Sequence, residues 1–520
     1  MYLRLRGART GLATLTAILV ASMVLVAPAS RASAAGLGSF LCPITSTLGV
    51  TSPGWDDGAT TPPTTMTEVE QAIGASQLYP LGVDGSGIGV AVIDSGVVPV
   101  KGLNGPGKVI NGPDLSFESQ VAPLQYLDTY GHGTHIAGII AGSDGSPTGF
   151  RGIAPGAHLV ELKVASHDAG AADVSQVLAA IDWVVQHRND PGLNIRVLNL
   201  SYGTESLQSY QLDPIAFAVE NAWRHGIVTV VAGGNDGTSR GSLTDPAVDP
   251  YVLAVGAADI NDANLLGCAT VAPFSSRSSS RPVDVVAPGV SIQSLRDPGS
   301  AIDQAHPDAV VDTRFFRGSG TSQATAVVSG AAALLLQSRP GLTPDQVKAA
   351  LTTTAVPLGL LDRSAAGSGM INVGAASRAF VGSKAQSWAA ATGTGSIDQA
   401  RGGSDVTINA TLLTGEQDIM GNPWHGASWA AASAAGSAWN GGAWNGAIWA
   451  GACWCAASWA GSAWSGAQWS GAQWSGAQWS GAQWSGAQWS GAQWSGAQWS
   501  GAQWSGAQWS GAQWSGRQWS

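Results

Sequence analysis

The sequence predicts an α/β domain with a mostly parallel sheet covered by helices, followed by a C-terminal tail of a different physical kind. Three observations carry this. From about residue 87, short apolar runs alternate with longer stretches of helical periodicity, the pattern of parallel strands joined by helical crossovers. Charge is sparse and uneven. Only 11% of the 520 residues are charged, against roughly a quarter in an average soluble protein, and between residues 421 and 520 the one formally charged side chain is Arg517. From Trp424 onward, tryptophan returns at every fifth residue except 434. The formal net charge of −10 excludes a nucleic-acid-binding function founded on a basic surface.

The elements follow in chain order. Met1 to Arg9 hold Arg4, Arg6 and Arg9, Gly11 to Pro28 is apolar and uncharged, and Ala32-Ser33-Ala34 offers a small-x-small cleavage site, so 1–34 reads as a secretory signal peptide. The rival reading, an uncleaved membrane anchor, is weakened by Gly11, Thr14, Thr16, Ser22 and Pro28 within the apolar stretch. Residues 35–80 are rich in Thr, Pro, Gly and Ser and read as a linker or short pro-segment, with one short helical pattern at Met66 to Ile73. The main domain spans 81–378. Its buried strands are predicted at Gly89 to Ile93, Arg196 to Leu200, Ile227 to Val231 and Tyr251 to Val255. Val174, Val177, Leu178, Ile181, Val184 and Val185 fall at helical spacing. A second helix begins at Pro214 behind the N-cap Asp213 and stops at Gly226, and Thr343-Pro344-Asp345-Gln346 is a capping box that opens a third. Residues 379–423 read as a linker and 424–520 as the repeat tail.

Four cysteines, Cys42, Cys268, Cys453 and Cys455, allow three disulfide pairings in an oxidising compartment. Cys453 and Cys455 are badly placed to pair with each other, and one C-x-C supplies too few ligands for zinc.

Three segments place one reactive polar group in a glycine-rich, otherwise apolar setting. Val92-Ile93-Asp94-Ser95-Gly96 ends a buried strand in a carboxylate, which demands hydrogen-bonding partners there. Gly131-His132-Gly133-Thr134-His135-Ile136-Ala137-Gly138 puts a histidine between glycines at a helix start. Gly318-Ser319-Gly320-Thr321-Ser322-Gln323-Ala324-Thr325-Ala326 precedes an apolar run to Leu336, so Ser322 opens a buried helix whose free N–H groups favour an oxyanion. Acyl transfer needs a hydroxyl, an imidazole that activates it and an acid that fixes the imidazole's tautomer, and these segments supply one of each. Ala232-Gly233-Gly234-Asn235-Asp236 adds an amide at a strand exit that can donate to an oxyanion.

These boxes and their order resemble the subtilisin-like serine proteases, the subtilases, over roughly residues 80 to 375. The resemblance implies a subtilisin-like three-layer fold and a serine endopeptidase in which Asp94 orients, His132 is general base and then acid, and Ser322 is the nucleophile. It gives Asn235 and the Ser322 backbone N–H to the oxyanion. Leu200-Ser201-Tyr202-Gly203 resembles the strand that pairs with extended substrate, making Ser201, Tyr202 and Gly203 substrate-binding, and Val283 to Gly289 resembles a structural segment of the same fold. Three departures stand out. Gln323 replaces a common Met after the nucleophile, and Ala324-Thr325-Ala326 stands for Ala-Ser-Pro. The 45 residues between Ala34 and Pro80 are also fewer than a typical folded subtilase pro-domain takes.

No cofactor and no catalytic metal is required by this reading. Asp245 and Asp249 are either members of a structural calcium site of the kind subtilases often have or turn residues beside Pro246 and Pro250. His135, His158, His167 and His225 are read as ordinary core or surface histidines. The expected partners are protein or peptide substrates, with no nucleic acid, for a secreted or cell-surface monomer.

In the tail, tryptophans at 424 and 429, from 439 to 464 and from 469 to 519 keep period five, with Ala434 the only gap; from Gly466 the unit is Gly-Ala-Gln-Trp-Ser. Five matches neither 3.6 nor 2, so neither one helix nor a flat strand keeps every Trp on one face. The period suits a four-sided solenoid and resembles the pentapeptide-repeat proteins; a disordered Gly/Ser-rich tail is the alternative. Evenly spaced indoles suit contact with a cell wall or polysaccharide, whereas a spacer role needs no partner. The rival function for the whole chain is a non-catalytic surface or adhesive protein acting through this tail.

Overall fold

The computed structural model describes residues 53–55, 62–120, 124–146, 148–167, 171–260, 269–358, 363–403, 406–408 and 411–449, and in the repeat the backbone of ten three-residue strands between Gln468 and Ser515. The expected signal peptide and all four cysteines lie outside the described residues. Among the described residues no helix is long and apolar enough to cross a membrane.

Chain order gives α1 (Met66–Ala72), β1 (Gly89–Asp94), β2 (Val109–Asn111), α2 (His132–Ala141), β3 (His158–Lys163), α3 (Val174–His187), β4 (Ile195–Leu200), α4 (Pro214–Arg224), β5 (Val228–Ala232), β6 (Leu253–Asp259), β7 (Thr270–Val271), β8 (Val285–Pro288), β9 (Ile292–Leu295), α5 (Ala301–Ala305), β10 (Phe315–Gly318), α6 (Thr321–Ser338) and α7 (Pro344–Thr353). The main sheet runs β2-β3-β1-β4-β5-β6-β7 with β8 also beside β6, and only β7 is antiparallel to its neighbour. β1 sits centrally, with Ile93 level with Leu162 of β3 on one side and Leu200 of β4 on the other.

Alternation along the strands separates two cores, because successive side chains leave opposite faces. Ala91 and Ile93 join Leu178 and Ile181 of α3 and Ile215 and Val219 of α4 on one face. Val90 and Val92 join Ile136 and Ile140 of α2 and Val327 and Leu334 of α6 on the other. The result is helix, sheet, helix. α6 is buried along nearly its whole length, which accounts for its apolar run having no polar stripe. Local signals set the helix starts. Asp173 and Gln176 form a capping box on α3, Asp213 caps α4 with Pro214 in its first turn, and Thr343 and Gln346 form the box on α7.

Beyond α7 the chain adds α8 (Arg363–Ala366), α9 (Val373–Ala376), α10 (Ile397–Arg401), the strand pair β11 (Thr407–Ile408) and β12 (Thr411–Leu412), α11 (Gly426–Ala434) and a three-strand meander, β13 (Trp439–Asn440), β14 (Ala443–Trp444) and β15 (Ala447–Ile448). Residues within 391–449 join the core on the α3 and α4 side, among them Ile397, Ile419, Trp424, Trp429, Trp439, Trp444 and Trp449. Part of the stretch read from sequence as linker, and the first tryptophans of the expected tail, therefore pack on the main domain. The anchor is Asp182 of α3, fully buried, which accepts from Trp429 Nε1 and Trp444 Nε1, each at 2.8 Å, and from Ser433 Oγ at 2.5 Å. Arg401 and Asp173 form a second, equally buried link at 2.7 Å. In the repeat, Gln468–Ser470 pairs in parallel and in register with Gln488–Ser490, which pairs with Gln508–Ser510, so each strand meets the one four units on.

Candidate active site

In open parallel sheets, ligand-binding groups gather at the carboxyl ends of the strands. Asp94 is the last residue of β1, Ser201 follows β4 directly, and Asn235 comes just after β5. His132 opens α2 and Ser322 lies in the first turn of α6, and hydrogen bonds from His132 to Asp94 and from Thr321 to Asn235 bring these helix starts to the strand ends.

Asp94 Oδ1 and His132 Nδ1 are 2.7 Å apart. A carboxylate only accepts, so Nδ1 carries the proton and Nε2 is left as the acceptor. Asp94 Oδ1 also takes the backbone N–H of Ser95 at 2.8 Å, which fixes the carboxylate. Burial pushes the His132 pKa down, but the charge and hydrogen bond of Asp94, with help from Asp128, outweigh it and raise the value above 6.5.

Glycine makes this approach feasible. A Cβ on Gly133 would lie 2.2 Å from the Gly96 carbonyl oxygen, so only glycine lets the first turn of α2 rest on the end of β1. Gly131, the N-cap, has φ of 105° and a Cβ position 2.3 Å from Ser300 Oγ.

Asn235 Oδ1 accepts both the backbone N–H of Thr321 at 2.9 Å and its hydroxyl at 3.0 Å. Because an N–H can only donate, these bonds orient the amide and leave Nδ2 as the free donor. A cleft of about 220 Å³ is lined by His132, Asn235 and Ser322 together with Ser319, Gly320, Gln323 and residues 53–55. Ser201 Oγ reaches the Ser322 carbonyl at 3.5 Å. Tyr202 turns its hydroxyl to the Ala172 carbonyl at 3.3 Å, and burial pushes its pKa up. Gly203 packs against Thr244, which lies 2.7 Å from where its Cβ would be.

A family model described as the subtilase family matches residues 85–369, more than half of the chain. The chain belongs to the subtilase family. Among curated relatives it is 39% identical over 272 residues to the serine protease AprX of Bacillus subtilis, a match that takes in 51% of this chain and 60% of that one. It is 35% identical to the subtilisin of Bacillus pumilus, with 59% of this chain and 96% of that one covered. A solved structure, fervidolysin from Fervidobacterium pennivorans, aligns at 30% identity and a TM-score of 0.49 over 61% of this chain and 46% of that one.

Within this subtilase, two positioning residues escaped the sequence reading. Asp128 is fully buried and takes the Gly131 N–H at 2.6 Å on Oδ1 and the Thr134 N–H at 2.7 Å on Oδ2, so it caps α2 from three residues before the N-cap. Ser95 Oγ accepts the Gly133 N–H at 2.9 Å. The third surprise is Trp55, edge-on to His132 with ring centroids 6.0 Å apart.

His135 is a core residue, as expected, with Nε2 at 3.2 Å from the carbonyls of Ile292 and Phe316 and a pKa pushed down to about 3 by burial. Asp245 and Asp249, the calcium candidates, are both buried. Asp249 Oδ1 caps the Tyr251 N–H at 2.9 Å, a turn role, and burial, then the Glu220 charge, pushes its pKa up to about 8. Asp245 faces the Asp213 carboxyl, and burial, then the Asp213 charge, raises its pKa well above 3.8. Among the described residues no group of three or more His, Cys, Asp or Glu side chains is arranged to hold a metal ion.

Proposed function

We propose that the chain is a secreted serine endopeptidase that hydrolyses peptide bonds through an acyl-enzyme on Ser322. The observation that carries the reading is the cleft: His132, tautomerically fixed by Asp94 at 2.7 Å, lines the same space as Ser322 and Asn235. His132 Nε2 takes the Ser322 hydroxyl proton as Oγ attacks the scissile carbonyl. The oxyanion then receives the Asn235 Nδ2–H and the Ser322 N–H, the latter backed by the dipole of α6. His132 next protonates the leaving amine, and water, deprotonated by the same nitrogen, releases the acyl group. Asp94 stabilises the imidazolium throughout. No step in this sequence calls on a metal.

The rival, a surface protein on an inert scaffold, is not favoured, because the family match and residues able to serve as nucleophile, base, orienting acid and oxyanion donor support the peptidase reading. Secretion is supported by the basic and apolar start of the chain. The tail is read as a four-sided solenoid that holds the peptidase at a glycan-rich surface, supported by the four-unit spacing of its parallel strands. Retention on insoluble glycans by the full chain, and its loss when the chain stops after residue 449, tests that role. Labelling by a fluorophosphonate and casein hydrolysis, each compared with Ser322→Ala, test the peptidase itself. Labelling and proteolysis should vanish in the variant; a wild-type chain that neither labels nor cleaves would refute the reading.

A further inference from the structure

The cleft has an occupant from the chain itself. The Gly54 N–H donates to the Ser319 carbonyl and the Ser319 N–H to the Gly54 carbonyl, both at 2.9 Å, an antiparallel pairing one step from α6. Pro53, Gly54 and Trp55 all border the space shared by His132, Asn235 and Ser322. The Trp55 ring sits in a recess made for it. It lies edge-on to His135 with centroids 5.1 Å apart and against Phe316 at 5.5 Å. It also rests on Gly318, where a Cβ would come within 2.6 Å of the indole. Further along, Thr64 holds the segment to β9 through bonds of 2.8 Å to the Ser291 carbonyl and 2.9 Å from the Gln293 N–H. The strand is therefore tethered on both sides of residues that the structure leaves undescribed.

Which half of a substrate this strand mimics follows from the proton inventory. His132 must hand its proton to the leaving amine, so the leaving half of a substrate runs past His132. Trp55 is the residue against His132, and the edge it uses is that of Ser319, whereas Ser201, Tyr202 and Gly203 do not line this cleft. We infer that residues 53–55 are a tethered ligand of the leaving-group half of the cleft, that the Trp55 recess is a subsite for an aromatic side chain, and that the strand competes with substrate until displaced. The substrate sense of this inference rests on the peptidase reading, while the binding itself does not. It assigns this enzyme a preference on the amine-releasing side, for a peptide with a small residue followed by an aromatic one, matching Gly54 and Trp55.

The test uses full-length chain carrying Ser322→Ala, so that self-cleavage cannot alter it. The probe is a fluorescent peptide of sequence Pro-Gly-Trp-Asp-Asp, that of residues 53–57. Adding Trp55→Ala should tighten peptide binding by about tenfold or more, because the recess is vacated and one indole replaces another. Trp55→Phe, which keeps a ring in place, should bind the peptide much as the parent does. A peptide with Ala for Trp should bind the Trp55→Ala chain at least about tenfold more weakly. Equal affinity for parent and Trp55→Ala chains, or for the Trp and Ala peptides, would overturn the inference. In active chains, Trp55→Ala should lower KM for an internally quenched peptide with little change in kcat. Failure of the active chains to label or cleave would sink the peptidase reading alone, since the binding measurement decides the strand's role without turnover.

Discussion

Ser95 and Asp128 are joined by a hydrogen bond of 2.7 Å from hydroxyl to carboxylate, and between them they hold the first turn of α2. Ser95 takes the Gly133 N–H while Asp128 takes those of Gly131 and Thr134, so the backbone around His132 is gripped at three points. Neither side chain hydrogen-bonds His132 itself, yet both decide where its ring stands relative to Asp94.

Asp128→Ala is therefore expected to lower kcat by about 10²-fold, the usual cost of misplacing a catalytic group by about an ångström, with KM little changed. Asp128→Asn keeps one acceptor and should lose less. Steady-state kinetics on both variants check this, and an undiminished kcat in Asp128→Ala would show that α2 is held by other means.

The pH profile follows from the direction of the His132 shift. In the proposed mechanism the base, His132, must be neutral, and Asp94 holds its pKa above 6.5, so kcat/KM should rise with pH through a midpoint above that value. Asp94→Asn removes the charge, which should move this acid limb to lower pH and cut kcat by roughly 10⁴-fold, the size known for such a change in a catalytic triad. An acid limb unmoved by the substitution would contradict the assignment.

Oxidation gives a third check. Gln323 is buried beside Ser322, the proposed nucleophile, and cannot form a sulfoxide, unlike the Met common at that place in subtilases. Peroxide should inactivate the wild-type chain less than a Gln323→Met variant; equal losses would place the sensitive residue elsewhere.

The Asp182 anchor predicts a stability effect with a definite pH sense. Burial pushes this carboxyl up to about 6, opposed by the bonds from Ser433, Trp444 and Trp429. A folded value above the ordinary 3.8 means the fold binds the proton more tightly than the unfolded chain, so this group's contribution to stability falls as pH rises between those two values. Trp444→Phe keeps the ring but removes a donor to the ionised form, and should cost about 1–3 kcal/mol at neutral pH. Below the folded pKa, where Asp182 is protonated, the cost should shrink. Thermal unfolding of both chains in the Ser322→Ala background would measure it.

Much of the site was legible because its residues sit where local rules are strong. Asp94 ends an all-apolar strand, and Asp213 with Pro214 marks a helix start in either context. Asp128 was not legible, because it caps the helix from three residues before the N-cap, a position that the usual N-cap rule does not inspect. Trp55 was hidden in a Thr/Pro-rich stretch with no periodicity. The stretch 391–449 misled for another reason: its burial depends on scattered indoles and small residues docking on α3 and α4, a tertiary arrangement that neither the 3.6 nor the 2 period announces.

The docking of 391–449 also sets how short a working version of this enzyme can be. The family match ends at Gly369, and a gene trimmed there would encode every group of the cleft. It would also strip the outer flank of α3 and α4, removing the Trp429 ring that lies 5.5 Å from that of Phe217 and leaving Asp182 and Asp173 without their indole and guanidinium partners. For anyone cutting this chain down for production, the safe terminus is Trp449, some eighty residues past the point at which the family match ends.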